Sequence, residues 1–289
     1  MYKWAEETAA IDPKTVTKED IRENAYMVLI PKGDENLGEV FRQNELDGKL
    51  VTKDVAPDIM VAYALEREIN GPSGEDDQKA AVHAFVTKDM LKTSGVTEGE
   101  LHDAAMENTR RGYMAMPIEQ AIRRLTNADG MEQPQEQQAR QDSTLPMIVL
   151  TNQTLRYGAA AVLVPEAQQE VSEAYGGSFL VCPSSRHEVI CIPDEMKKID
   201  YYEKMVIDIN RSTVSESDFL SNTILRYDSD SKILEPARDY AGRQAAAEIP
   251  KSPNKGETRE TRHTESPYPG LPPCPEPRRI EQKRGMDIC

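Results

Sequence analysis

Between Pro146 and Leu234 short apolar runs alternate with turn clusters and helical stretches at spacings that leave few ways to fold. Pro146-Met-Ile-Val-Leu150 reads as a strand and Thr151-Asn152 to Gly158 as a turn. Ala159 to Val164 is a second apolar run that suits a strand or the start of a helix. Pro165 with Glu166 then opens a helix whose face is Ala167, Val171 and Ala174, and Gly176-Gly177 stops it. Phe179-Leu-Val-Cys182 and Val189-Ile-Cys-Ile192 read as two strands around Pro183-Ser-Ser-Arg-His-Glu188. A helix follows from Asp194 to Asn210, and Thr223 to Tyr227 with Lys232 to Leu234 make a closing hairpin. The order β-β-α-β-β-α plus a hairpin predicts an α+β fold, an antiparallel sheet with helices on one face.

The amino-terminal part gives a second lobe. Thr17 to Asn24 reads as a short polar helix leading into the strand Ala25-Tyr-Met-Val-Leu-Ile-Pro31. Asp54 to Asn70, with Ile59, Met60, Tyr63, Ala64 and Ile69 at helical spacing, predicts a helix ended by Asn70-Gly71-Pro72. A polar surface loop over 72–78 then leads to the strand Ala80 to Val86. Thr97-Glu98-Gly99-Glu100 has the form of a capping box before a helix through Arg110, and a short helix follows from Pro117 to Leu125. The glutamine-rich stretch from Met131 cannot bury a face. The chain therefore divides into a lobe over 1–130, a linker over 131–144, a lobe over 145–236 and a disordered tail over 237–289. Eight prolines lie between Pro250 and Pro277, without apolar periodicity. Pro267 to Pro277 favours polyproline II, but a plain flexible tail is the reading its composition supports.

Charge narrows the partners. The net charge of −15 divides into −17 over residues 1–236 and +2 beyond. Nucleic-acid binding needs clustered Lys and Arg that displace counterions, so direct binding of nucleic acid by the ordered part is not expected. The four cysteines form no Cys-x-x-Cys pair and fit neither a disulfide framework nor a zinc site. Cys182 and Cys191 flank one hairpin and become cross-strand neighbours if its turn is centred between Arg186 and His187; in a reducing cytoplasm they act as small buried hydrophobes, with a disulfide as the alternative. The start, Met1-Tyr-Lys-Trp-Ala-Glu-Glu, lacks a signal-peptide pattern, and the longest relevant apolar run is far below the ~20 residues of a membrane span. A soluble cytoplasmic protein, without membrane association, is the expectation.

At Val149-Leu-Thr-Asn152, Tyr157-Gly-Ala-Ala160, Pro183-Ser-Ser-Arg-His-Glu-Val-Ile190 and Tyr227-Asp228 the chain resembles a bacterial family known only as a domain of unknown function. The resemblance extends through His83 to Thr109 and, more weakly, over Asn24 to Tyr63. It implies a cytoplasmic bacterial protein of α+β fold and brings no activity, cofactor or substrate. Members carry additional sequence before the point where this chain starts, which implies a version whose first lobe is truncated.

Ser184, Ser185, His187 and Glu188 place a hydroxyl, an imidazole and a carboxylate within five residues, the ingredients of nucleophilic catalysis. Consecutive side chains of an extended segment point to opposite faces, so they seldom meet in catalytic geometry. No Gly-x-Ser-x-Gly elbow and no phosphate-binding glycine loop occurs. The serines then bond turn backbone and His187 a neighbouring strand. His83, His102 and His187 are isolated in sequence, so no metal site and no cofactor is expected; Glu98 lies one helical turn before His102. A non-enzymatic binding or scaffold protein, taking a protein or small ligand at this hairpin, is the first expectation. A hydrolase using Ser184 or Ser185 with His187 is the alternative, and an acidic partner protein or DNA mimic a third.

Overall fold

Two reciprocal caps start the helices of the amino-terminal half. Thr17 and Asp20 close a capping box over helix α1 (Lys18–Asn24), and Thr97 and Glu100 close another over α3 (Glu98–Gly112). Each satisfies backbone N–H groups that the first turn leaves without partners. Between them lies α2 (Lys88–Ser94), which the sequence reading missed; Thr87 caps it and Gly95, at φ 68°, ends it. These elements come from a computed structural model that describes residues 11–32, 50–70, 79–125 and 147–248. The loop expected at 72–78, the linker at 131–144 and the tail from Pro250 lie outside them.

The smaller sheet contains β1 (Ala25–Pro31), β2 (Thr52–Ala56), β3 (Ile59–Asn70) and β4 (Lys79–Phe85). β1 runs along one side of β3, and β2 and β4 pair with β3 in succession, all antiparallel. The helix predicted over Asp54 to Asn70 is therefore corrected to a hairpin, β2–β3. The cause is burial on both faces: Ile59, Val61, Tyr63 and Leu65 face the main core, while Ala62 and Ala64 face a second cluster with Val28 and Ile30. A strand covered on both sides loses its alternation and reads as an unbroken apolar run.

The larger sheet has the order β10-β9-β7-β8-β6-β5, again antiparallel. Its strands are β5 (Tyr113–Pro117), β6 (Ile148–Asn152), β7 (Phe179–Cys182), β8 (Val189–Pro193), β9 (Leu225–Asp228) and β10 (Ile233–Pro236). β5 precedes the residues expected as a linker, yet it pairs with β6. The undecided run after Asn152 becomes a 3-10 helix, Gly158–Leu163, which touches both β1 and β6. The α+β class with antiparallel sheets holds. Helices lie on both faces of the larger sheet: α5 (Pro165–Tyr175) packs Ala167 and Val171 into the main core, and α6 (Ile199–Thr213) packs Ile199, Tyr202 and Val206 behind Leu180 and Ile192. The short α4 (Ile118–Leu125) sets Ala121 against Met116 and Val149.

One hydrophobic core joins the sheets, with Met27 and Tyr63 from the first and Phe179, Val189 and Tyr227 from the second. Met1–Ile249 form one compact unit. A polar tie adds to the packing: Asp58, in the β2–β3 turn, accepts the Ser221 and Thr223 hydroxyls at 2.6 and 2.8 Å.

Residues 237–248, expected as the first part of the tail, are instead ordered. Ala237–Glu248 form helix α7, with Ala237 buried. Arg238 binds Asp200 and Glu203 of α6, and the Tyr240 ring lies 3.7 Å from the guanidinium carbon of Arg226. The run Arg243-Gln-Ala-Ala-Ala-Glu248 has high helix propensity that an apolar-periodicity reading does not register.

Candidate ligand cleft

The Pro183–Glu188 hairpin is held against the loop after β6 by backbone bonds. The His187 carbonyl accepts the Gly158 N–H and the Thr151 hydroxyl, both at 2.9 Å, and the Arg186 carbonyl accepts the Ala159 N–H at 3.3 Å. On its other side the Arg186 N–H donates to Asp218, and Leu220 N–H to Ser184. Gly158 is required by this contact. A Cβ there would stand 2.5 Å from the Asn152 nitrogen and 2.8 Å from the His187 carbonyl oxygen.

His187 is consumed by the same junction. Its Nδ1 accepts the Tyr157 N–H at 3.1 Å, which places the proton on Nε2, and Nε2 meets Asp218 Oδ1 at 3.1 Å. Burial raises the pKa of Asp218, but the Ser215 hydroxyl and His187 outweigh it, so the carboxyl is lowered. Burial likewise raises Glu188, offset in part by His187 and the Ser185 hydroxyl. The Ser185 oxygen accepts the His187 backbone N–H at 3.0 Å. Among the described residues no hydrogen bond joins the hydroxyl of Ser184 or Ser185 to the imidazole. Serine catalysis needs a ring nitrogen free to take the hydroxyl proton. Asp218, the partner that sequence did not offer, comes from 31 residues away; its only local signal is the Ser215-Glu-Ser-Asp218 turn, in which the Ser215 hydroxyl binds Asp218.

The two other described histidines are bound by tyrosines. Tyr26 OH meets His83 Nδ1 at 2.8 Å and Tyr63 OH meets His102 Nδ1 at 2.9 Å, so His102 bonds a strand tyrosine and not Glu98. Burial lowers both imidazoles, which are neutral at pH 7, and raises both phenols, Tyr63 to about 12. Among the described residues no group of three or more His, Cys, Asp or Glu is arranged to hold a metal. Cys182 faces Ile190 across the hairpin and Cys191 faces Val181, so the two thiols point to opposite faces of the sheet and are not cross-strand neighbours.

Tyr26 and His83 open onto a cleft of about 570 Å³ that sequence reasoning did not find. Tyr26 of β1, Glu66 of β3 and His83 of β4 share one face of the smaller sheet, because Tyr26 pairs with Ala64 and Glu66 with His83. The small Ala64 lets the phenol reach across to the imidazole. The ends of α1 and α3 form a second wall, with Asn24 and Asn108, and the Thr151–Gly158 loop forms the third. Asn152 shapes that loop: its amide donates to the Arg156 carbonyl at 2.7 Å and accepts the Arg156 N–H at 3.2 Å. Leu155 and Tyr157 are thereby held at φ 56° and 53°, in a region that costs non-glycine residues about 1 kcal/mol or more each. The Tyr157 ring that results lies 5.4 Å from His187 and 5.9 Å from the Arg156 guanidinium. Thus Thr151-Asn152, Tyr157-Gly158 and the Ser185–His187 hairpin, far apart in sequence, support one wall of one cleft.

These features define an antiparallel α+β protein with a polar, tyrosine-lined cleft where its two sheets meet. The chain belongs to the family of unknown function DUF5688, which matches residues 73–229, more than half its length. That stretch includes His83, the Asn152 loop and the Ser185–Asp218 junction, whereas Tyr26 and Glu66 precede it. No curated protein and no solved structure matches the chain. No helix among the described residues is long and apolar enough to cross a membrane.

Proposed function

We propose that the protein is a non-enzymatic binding protein of the bacterial cytoplasm whose ligand, a small polar molecule, sits in the cleft between Tyr26, His83 and Tyr157. The observation that supports this most is the cleft itself: its volume lies in the range of small-molecule sites, and convergent polar groups line it. The strained Leu155–Tyr157 backbone is the kind of local cost that persists at ligand sites. The free, buried thiols of Cys182 and Cys191 suit a reducing compartment. Against the hydrolase alternative stands the use of both His187 nitrogens by Tyr157 and Asp218.

A thermal-shift screen of a metabolite library tests the proposal. A subset of small polar compounds should raise the melting temperature, and Gln153→Trp, which fills the cleft from an exposed lining position, should abolish the shift. Shifts untouched by Gln153→Trp would move the site elsewhere. Fluorophosphonate labelling of wild type that disappears in Ser184→Ala or Ser185→Ala would replace binding with hydrolysis.

A further inference from the structure

We infer that the cleft takes an organic cation, a small molecule bearing an ammonium or guanidinium group. The inference rests on the cleft being a ligand site and adds the sign of the ligand. Four observations point the same way. First, the carboxylates of Glu23 and Glu66 line the cleft and form no ion pair among the described residues. Second, the carboxyl end of the 15-residue helix α3 forms one wall through Asn108, Thr109 and Gly112. The last turn of a helix carries the negative end of its dipole, although the Gly112 carbonyl already accepts the Gln153 N–H at 3.2 Å. The basic residues of that turn do not cancel it freely, because Arg110 and Arg111 both bind Glu107.

Third, the rings of Tyr26 and Tyr113 are among the walls, and aromatic faces attract cations; the Tyr157 ring already has the Arg156 and Arg186 guanidinium carbons at 5.9 and 5.7 Å. Fourth, the lining histidine adds no opposing charge: the Tyr26 phenol occupies its Nδ1, and burial keeps the ring neutral at pH 7. The lining guanidinium, Arg156, lies against the Tyr157 ring and its charge reaches Tyr26 and His83, so the lining sets two carboxylates against one guanidinium. A bare metal ion is a poor match, since the cleft of about 570 Å³ holds no cluster of three His, Cys, Asp or Glu ligands among the described residues. An ammonium or guanidinium on a carbon frame matches a lining that offers both carboxylates and aromatic rings. The excess of −17 over residues 1–236 draws such ligands toward the surface.

The test is calorimetric titration of the full chain with cadaverine, agmatine and phenethylamine, set against 1,5-pentanediol, glutarate and phenylacetate. The amines should bind and their neutral and acidic counterparts should not. Glu66→Gln should weaken amine binding about tenfold or more, as loss of a charge-assisted bond does, while Glu216→Gln, an exposed carboxylate outside the cleft, leaves it unchanged. Equal loss with Glu216→Gln would reduce the effect to diffuse charge and overturn the inference. Binding of the diol or the acids in preference, blocked by Gln153→Trp, would overturn the cation and keep the cleft. Binding of none of the six, together with an empty metabolite screen, would remove both.

Discussion

Gly158 stands where a hairpin carbonyl, a strand amide and a threonine hydroxyl leave no room for a side chain. Because two of those three neighbours are backbone, they cannot swing aside. Gly158→Ala should lower stability by about 1–3 kcal/mol, the range for overpacking, and shift the urea midpoint accordingly. A change below about 0.5 kcal/mol would mean that the loop and hairpin are not in register as described. The buried thiols give a second check. Burial pushes Cys182 up to about 12 and Cys191 well above its ordinary value, so neither is a thiolate at pH 8. With Cys274 and Cys289 replaced by Ser, native protein should not react with Ellman's reagent, and two thiols should appear in denaturant. The identity of these single residues was legible in the sequence, but their partners were not. Nothing near His187 announces Asp218 or the Tyr157 N–H, and nothing near His83 announces Tyr26.

Elements were legible where their signals are local. Thr97 and Glu100 announced α3, Pro165 and Gly176 bracketed α5, and both hairpins of the larger sheet fell where short β-rich runs flank turn residues. β5 was missed because Tyr113-Met-Ala-Met-Pro117 has no β-branched residue and ends in proline; it is placed by pairing with β6. The β2–β3 hairpin was missed because its central strand is buried on both faces. Helix α7 was missed because its contacts are a stacked ring and ion pairs, not an apolar stripe. Tyr240→Ala should therefore cost about 1–2 kcal/mol by uncovering Arg226, whereas Tyr201→Ala, at 65% exposure, should change stability little. Equal effects in thermal melts would detach α7 from the body. The buried tyrosines predict alkaline sensitivity. Burial, aided by Glu98 for Tyr63 and by Glu195 for Tyr202, raises both phenols to about 12 in the folded chain. An unfolded tyrosine ionises near pH 10. A raised folded value gives stability that is complete below the unfolded value and lost as pH climbs toward the folded one. The melting temperature should fall between about pH 10 and 12, with Tyr63→Phe softening the fall; an unchanged profile in that variant would contradict the burial.

At the scale of the whole molecule, the two sheets share one core, and Asp58 ties the β2–β3 turn to Ser221 and Thr223. Sheets that share a core melt together, so calorimetry of Met1–Ile249 should show one cooperative transition. Two resolved transitions would restore a boundary near residues 131–144. The cleft belongs to this scale as well. Its walls come from the ends of α1 and α3, from β1, β3 and β4, and from the loop after β6, so no window of sequence contains it. The motifs that drew attention in sequence, Thr151-Asn152 and the Ser185–His187 hairpin, prove to be supports of its loop wall. The most direct measurement is a crystal structure of the full chain with whichever compound gives the largest thermal shift. Ligand density between the Tyr26 phenol, the Glu66 carboxylate and the Tyr157 ring is the predicted result; density elsewhere, with these three side chains unmoved and solvent between them, would contradict it.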